Sequence, residues 1–137
     1  MSRVKLDQET LGLSSLLEKR THALVKDCFK DNETIYFVVA QGEMGKALGK
    51  GAENVRRLQQ ELGKRIRIIE YADTVIDFIR NIISPLRVEE IVEENSIVYL
   101  KDSRKKTKSL LIGRDGRNLQ LIQRAVTRFF NVEVKVI

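Results

Sequence analysis

The sequence predicts an α+β protein made of two copies of one small domain, each a small three-stranded sheet with helices packed on one face. Three observations carry this. A glycine-centred segment, Ala47-Leu48-Gly49-Lys50-Gly51-Ala52-Glu53-Asn54-Val55, returns as Leu111-Ile112-Gly113-Arg114-Asp115-Gly116-Arg117-Asn118-Leu119 at an offset of 64. Runs with helical apolar spacing alternate with β-rich runs in the same order in both halves. In both halves the glycine segment falls between two helical stretches.

The elements follow from local patterns. Leu13, Leu16 and Leu17 recur at helical spacing and predict a helix over 10–20. Its counterpart carries the stripe Val75, Ile76, Ile79, Ile82 and Ile83, with Asp73 as the expected cap and Pro85 as the stop. Ser84, just before the proline, is pushed toward extended geometry. Two β-rich runs follow each helix. They are expected at 23–30 and 34–40, split by Asp31-Asn32, and at 87–92 and 96–101, split by Glu93-Glu94-Asn95. Thr34-Ile35-Tyr36-Phe37-Val38-Val39 matches Ser96-Ile97-Val98-Tyr99-Leu100 at an offset of 62, which puts two extra residues between strand and loop in the second copy.

A short helix, the glycine loop and a longer amphipathic helix come next. Val55, Leu58 and Leu62 line the inner face of the first long helix; Leu119, Ile122, Val126 and Phe129 line the second. Gly63 stands where a C-cap glycine is expected. A strand closes each half, at 66–69 and at 132–136. The expected domains are residues 1–71 and 72–137, each with a core that is marginal alone. Only Glu70-Tyr71-Ala72 separates the last strand of one from the first helix of the next, so rigid docking of the halves is expected.

Composition narrows the class. The 137 residues are 42% hydrophobic and 32% charged, enough for a packed core. No apolar run approaches the ~20 residues that span a bilayer, and MSRVKLDQETLGL has no secretory-signal core. One cysteine, Cys28, and one histidine, His22, exclude an internal disulfide and all but exclude a structural Cys/His zinc site, which wants four such ligands. A cytoplasmic address is expected, with no membrane partner, no metal and no cofactor. Net charge is +6, and it is gathered: residues 43–67 carry seven Lys/Arg against three acids, and residues 101–128 nine against two. The remaining residues sum to −5. Both basic stretches contain the glycine motif, which points to an anionic partner.

Gly-x-x-Gly between helices has a physical use. Without a Cβ, the backbone comes close to a bulky anion. The next helix aims free N–H groups and the positive end of its dipole at the same spot. Lys50 and Arg114 sit inside the loops and can meet phosphate oxygens. Lys46, Arg56, Arg57, Lys105, Lys106, Lys108 and Arg117 are near enough in sequence to add field, and neighbouring apolar faces can receive unstacked bases. Single-stranded RNA is commonly held this way, a loop clamping about four backbone nucleotides.

On these residues the sequence resembles the KH family, and within it the tandem KH portion of the NusA transcription factors in their short archaeal form. Because each half ends on a strand, the resemblance implies the prokaryotic type II arrangement. It also implies single-stranded RNA as partner, with contacts from Gly49, Lys50, Gly51 and Ala52, and from Gly113, Arg114, Asp115 and Gly116. Lys46, Arg56, Arg57 and Arg117 add charge. The implied role is transcription termination or antitermination on nascent RNA, with RNA polymerase or other transcription proteins as candidate partners. The polymerase-binding region and S1 domain of bacterial relatives find no room in this chain, so a direct polymerase contact does not carry over. Two departures stand out. Ala52 replaces the fourth glycine of the first loop. Asp115 puts an acid in the second, where it is either repelled by phosphate or caps the next helix.

Two further readings stay open: a ribosomal or ribosome-assembly RNA binder, and a protein–protein scaffold with little RNA affinity. Enzyme readings fare poorly, and no small-molecule substrate is expected. A nucleotide P-loop would need glycine at Met44 and Ser or Thr at Gly51; a dinucleotide fingerprint would need glycine at Asn54. His22 is expected at a helix end and Cys28 half-buried in a strand. Glu89-Glu90 and Glu93-Glu94 read as an acidic, solvated hairpin, and Tyr36, Tyr71 and Tyr99 as structural.

Overall fold

A computed structural model describes residues 8–137; the first part of the stretch searched for a secretory signal, residues 1–7, lies outside them. The described chain is α+β with two three-stranded sheets. It divides into two compact units, one running up to Ala72 and the other from Asp73 to Ile137. The first contains α1 (Gln8–Thr21), β1 (Val25–Lys30), β2 (Thr34–Val39), α2 (Met44–Leu48), α3 (Glu53–Leu62) and β3 (Arg65–Glu70). The second contains α4 (Val75–Ile83), β4 (Glu90–Glu94), β5 (Ile97–Lys101), α5 (Lys105–Ile112), α6 (Arg117–Thr127) and β6 (Glu133–Val136).

Topology is the same in both. β1 pairs antiparallel with β2, and β2 parallel with β3; β4, β5 and β6 repeat this. A parallel partner requires a long crossover. Here the helix pair α2–α3, or α5–α6, is that crossover, and the glycine loop lies in its middle.

In the first unit Leu17, Cys28, Ile35, Phe37, Val39, Ala47, Leu58 and Ile66 form one core cluster. Cys28 is fully buried, not half-buried as its strand position suggested. It stands opposite Phe37 in the β1–β2 pair, on the side of the sheet that faces the helices. Phe29, Tyr36, Val38 and Ile69 are withdrawn from solvent as well, so both faces of β2 are buried. In the second unit Phe78, Ile79, Ile82, Leu111, Ile122, Ala125 and Val126 are buried with Val98 and Leu100. Phe129 does not lie on α6, which ends at Thr127. It falls in the turn beyond and meets Phe78 edge-on, ring centres 5.5 Å apart.

Other boundaries also moved. Thr74, not Asp73, caps α4: its hydroxyl accepts from the Asp77 N–H at 3.3 Å. The helix stops at Ile83, with Ser84 extended before Pro85 as expected. β4 begins at Glu90 instead of 87, because the chain before it is tied elsewhere. The Glu89 N–H donates to Asp102, and the Arg87 carbonyl accepts from Arg104. The second hairpin turns on Asn95-Ser96, both at positive φ (53° and 64°), which is a two-residue hairpin turn; Glu93 and Glu94 therefore belong to the strand. In the first hairpin Asp31 accepts from the Glu33 and Thr34 N–H groups, a turn built on its side chain.

The strand repeat has an offset of 63, not 62. The Arg65 N–H donates to the Glu33 carbonyl as the Glu133 N–H does to Ser96, and Tyr36 thus matches Tyr99. A one-residue slip would turn every side chain to the wrong face. With this offset Ile35 and Phe37 match Val98 and Leu100, all buried. One residue, not two, is then extra before the second loop.

Candidate nucleic-acid interface

Each loop is built from the end of one helix and the start of the next. The Gly49 N–H closes α2 on the Gly45 carbonyl at 3.0 Å, and the Gly113 N–H closes α5 on Ser109 at 2.8 Å. Both glycines then leave the helix with nearly equal angles, φ 73° and ψ 176° against φ 74° and ψ 174°. That region is open essentially to glycine alone. A short 3-10 turn follows, held by Ala52 N–H to Gly49 O and Gly116 N–H to Gly113 O, at 3.1 and 3.2 Å.

The third and fourth loop residues are left-handed in both copies. Gly51 and Ala52 have φ of 61° and 58°; Asp115 and Gly116 have 56° and 75°. The backbone is the same; the single glycine sits at the third position in one loop and at the fourth in the other. A Cβ at Gly116 would meet nothing within 4 Å, so its role is conformational. Ala52 holds the capping position just before α3, in a left-handed geometry that costs an L-residue about 1–2 kcal/mol. Asp115 does not cap α6; Gly116 holds that position without a side-chain bond.

The first glycine of each loop answers to a neighbour as well. A Cβ at Gly49 would lie 2.7 Å from the Asn54 amide nitrogen; one at Gly113 would lie 2.8 Å from Asn118 Cβ. Asn54 donates to the Lys46 carbonyl at 3.1 Å, and Asn118 to the Leu110 and Leu111 carbonyls, both at 3.0 Å. Each asparagine thus ties the helix after the loop to the helix before it. Sequence reasoning gave these two no role, although their recurrence at the same distance from each first glycine was the available signal. A second repeated clasp holds the far end. Gln59 accepts from the Ile66 N–H and Gln123 from the Val134 N–H, fastening each long helix to its closing strand.

The expected cations are placed unevenly. Lys50, Arg56, Arg114 and Arg117 are exposed at or next to their loops. Arg56 reaches back over the first loop, its Nη2 being 3.9 Å from where a Gly51 Cβ would stand. Lys46 and Arg57 point to acids: Lys46 is 3.4 Å from Glu43, and Arg57 is 2.7 Å from Glu53. Hydrogen bonding to the Leu24 N–H, with Lys46 nearby, holds the Glu43 carboxyl below its ordinary range. Of the second basic stretch, Arg104 is engaged by buried Asp102, which accepts from its Nε and Nη2 at 2.9 and 2.7 Å. These bonds hold the Asp102 carboxyl far below its usual value and raise Arg104. Lys105 and Lys106 remain exposed at the start of α5, and Lys108 is half-buried. Beside the second loop Leu110 and Ile112 are exposed, whereas Ala47 is buried and Leu48 half-buried beside the first.

The remaining singled-out residues take structural places. His22 follows α1 at positive φ, its N–H on the Glu18 carbonyl. Tyr36 stacks on Phe29 and donates to Asp31. Tyr71 carries the Lys26 ammonium over its ring at 4.3 Å. Glu89 is more than a solvated acid, since it accepts from the Ser103 N–H and hydroxyl. Among the described residues no three His, Cys, Asp or Glu side chains gather as metal ligands, and no helix is long and apolar enough to cross a membrane.

The KH domain family model matches residues 14–101. The chain belongs to the KH domain family. It is similar to the probable transcription termination protein NusA of Methanococcus vannielii, 39% identical over 120 residues, which are 85% of this chain and 69% of that protein. The protein of the same name from Methanocaldococcus jannaschii is 31% identical over 142 residues, with 100% of this KH chain and 77% of that protein covered. Among solved structures, the crystal structure of APE1850 superposes with a TM-score of 0.79 at 27% identity, covering 96% of this chain and 100% of that one.

Proposed function

We propose that this KH protein is a NusA-like transcription termination or antitermination factor that binds single-stranded nascent RNA. In this reading residues 1–71 and 72–137 are tandem type II KH domains, and each grips phosphates with its glycine loop. The observation that carries it is the repeated loop backbone, kept although different residues fill the third and fourth positions. A geometry retained at a cost in left-handed strain answers to a ligand better than to packing. The transcription role rests on the names of the relatives; RNA polymerase and other transcription proteins are candidate partners on the same ground. No catalytic group is assigned.

The second loop contributes more in this reading. It keeps the fourth glycine, has exposed Leu110 and Ile112 at its side, and among the described residues its Arg114 and Arg117 form no ion pair, whereas Lys46 and Arg57 do. The test is a pair of charge reversals, Lys50→Asp and Arg114→Asp, each checked for unchanged circular dichroism and melting. Binding of single-stranded RNA is expected to weaken more in Arg114→Asp. An equal or larger loss in Lys50→Asp would overturn the ranking. No loss in either would overturn the phosphate-clamp reading.

A further inference from the structure

The connection from the first helix to the first strand differs between the units. Residues 22–24 join α1 to β1, whereas residues 84–89 join α4 to β4. The longer connection is pinned along its length. The Leu86 N–H donates to the Ile83 carbonyl at 2.9 Å, Arg104 donates to the Arg87 carbonyl at 3.0 Å, and buried Asp102 accepts from the Glu89 N–H at 3.2 Å. With the end of α4 and the start of β4 it walls a cavity of about 390 Å³. That is the size of a ligand site, roughly 300–1,000 Å³. A wall fixed in advance loses little freedom when something binds against it.

The cavity is apolar with two cations. Ile83 and Ile91 line it and are buried; Leu86 and Val88 line it and are half-buried. Arg80 and Arg87 line it and are exposed, and no acid does so. The acids near it in sequence are engaged: Asp77 lies 3.2 Å from Arg80, Glu89 accepts from Ser103, and Glu90 lies 3.8 Å from Lys101. Arg87 forms no ion pair among the described residues. The Arg80–Asp77 pair is exposed on both sides, and such pairs hold weakly, so Arg80 is able to turn to another acid.

We propose that this cavity is a docking site for an acidic, apolar segment of a partner protein. A large aliphatic or aromatic side chain enters among Ile83, Leu86, Val88 and Ile91, and a neighbouring Asp or Glu meets Arg87, with Arg80 as the second cation. Charge complementarity calls for the carboxylate, and the aliphatic lining favours a protein over RNA. A base edge brings several donors and acceptors, and apart from the arginines the one polar side chain lining the cavity is Ser84. Polar groups buried without partners are costly, whereas an apolar side chain leaves none. The site is separate in sequence from both glycine loops, so it stands whether or not they bind RNA.

The experiment uses the full chain, isotope-labelled, with three probe peptides read by amide chemical shifts and by anisotropy. The first is Asp-Glu-Leu-Phe-Asp-Glu; the second has Ala-Ala in place of Leu-Phe; the third has lysines in place of the acids. Amides within 84–91 are expected to shift with the first alone. Arg87→Glu is expected to weaken the first peptide about tenfold, as the loss of a charge-assisted contact would. Lys19→Glu, an exposed reversal on α1, makes the same change in net charge and is the control, expected to bind the peptide like the parent chain. Both variants are checked for unchanged circular dichroism and melting, and both are expected to bind single-stranded RNA equally. If the first peptide leaves 84–91 unmoved, if the alanine peptide moves them as much, or if the two variants bind the first peptide alike, the docking site falls. If single-stranded RNA shifts 84–91, the occupant is nucleic acid, and the proposal falls while the RNA reading stands.

Discussion

Ala52 holds a backbone conformation that its own side chain resists. Its φ of 58° is natural for glycine, the residue at the matching place, Gly116, where φ is 75°. Ala52→Gly is therefore expected to stabilise the protein by about 1 kcal/mol, and Gly116→Ala to destabilise it by a similar amount, both read by denaturant unfolding. Gly113→Ala is expected to cost more, about 1–3 kcal/mol from backbone strain alone. There the new Cβ would also sit 2.8 Å from Asn118 Cβ and 2.9 Å from its backbone nitrogen. Equal losses for Gly113→Ala and Gly116→Ala would show that the asparagine clasp imposes no steric demand. Asp102 offers a pH signature. Its pKa lies below its ordinary 3.8 in the folded protein, chiefly through Arg104. Such a group gives its full stabilisation above the unfolded value and loses it as pH falls through the folded one. The protein is thus expected to lose stability below about pH 4, and Asp102→Asn to be less stable at neutral pH with a flatter acid limb. Thermal melts from pH 7 down to pH 2 measure both.

At the scale of elements, helices and central strands were legible because their apolar spacing is strong. The stripe from Val75 to Ile83 and the unbroken run Ile35–Val39 could be little else. Boundaries were less so, for identifiable reasons. Thr74 and Asp73 are both good caps, and only geometry chooses between them. Asn95-Ser96 was hidden by the acids before it, which looked like turn residues and are strand. The start of β4 depends on Asp102, a tertiary partner that no local window contains. The loops stand where the repeat put them, but the demand that Asn54 and Asn118 make on their first glycines was not foreseen, because it arises across the loop and not in any local window. Helix α1 carries one further expectation. Ser14 is buried, and its hydroxyl has no hydrogen-bond partner among the described residues. Ser14→Ala removes that unpaired group and improves helix propensity, so a gain of about 1 kcal/mol in unfolding free energy is expected. A loss would reveal a partner for the hydroxyl.

For the whole molecule, charge sets the expected response to salt. With two loops in basic stretches, the log of RNA affinity should fall with the log of salt by about 0.7 per phosphate contact, and a flat response would remove the electrostatic clamp. Single-stranded RNA is expected to bind more tightly than a duplex of equal length, because a regular duplex does not present splayed bases. The order of strand pairing has a consequence in time. Each hairpin joins neighbours in sequence, but β3 must find β2 across a long excursion: Thr34 pairs with Arg65, and Ile97 with Glu133. Hairpins close in about 1–10 μs, whereas distant pairing waits on the entropy of bringing the ends together. Both glycine loops ride on the segment expected to close last. Strain placed there burdens the native state more than the folding barrier. Gly113→Ala should accordingly hasten unfolding and leave refolding near its original rate, lifting one arm of the stopped-flow chevron and not the other.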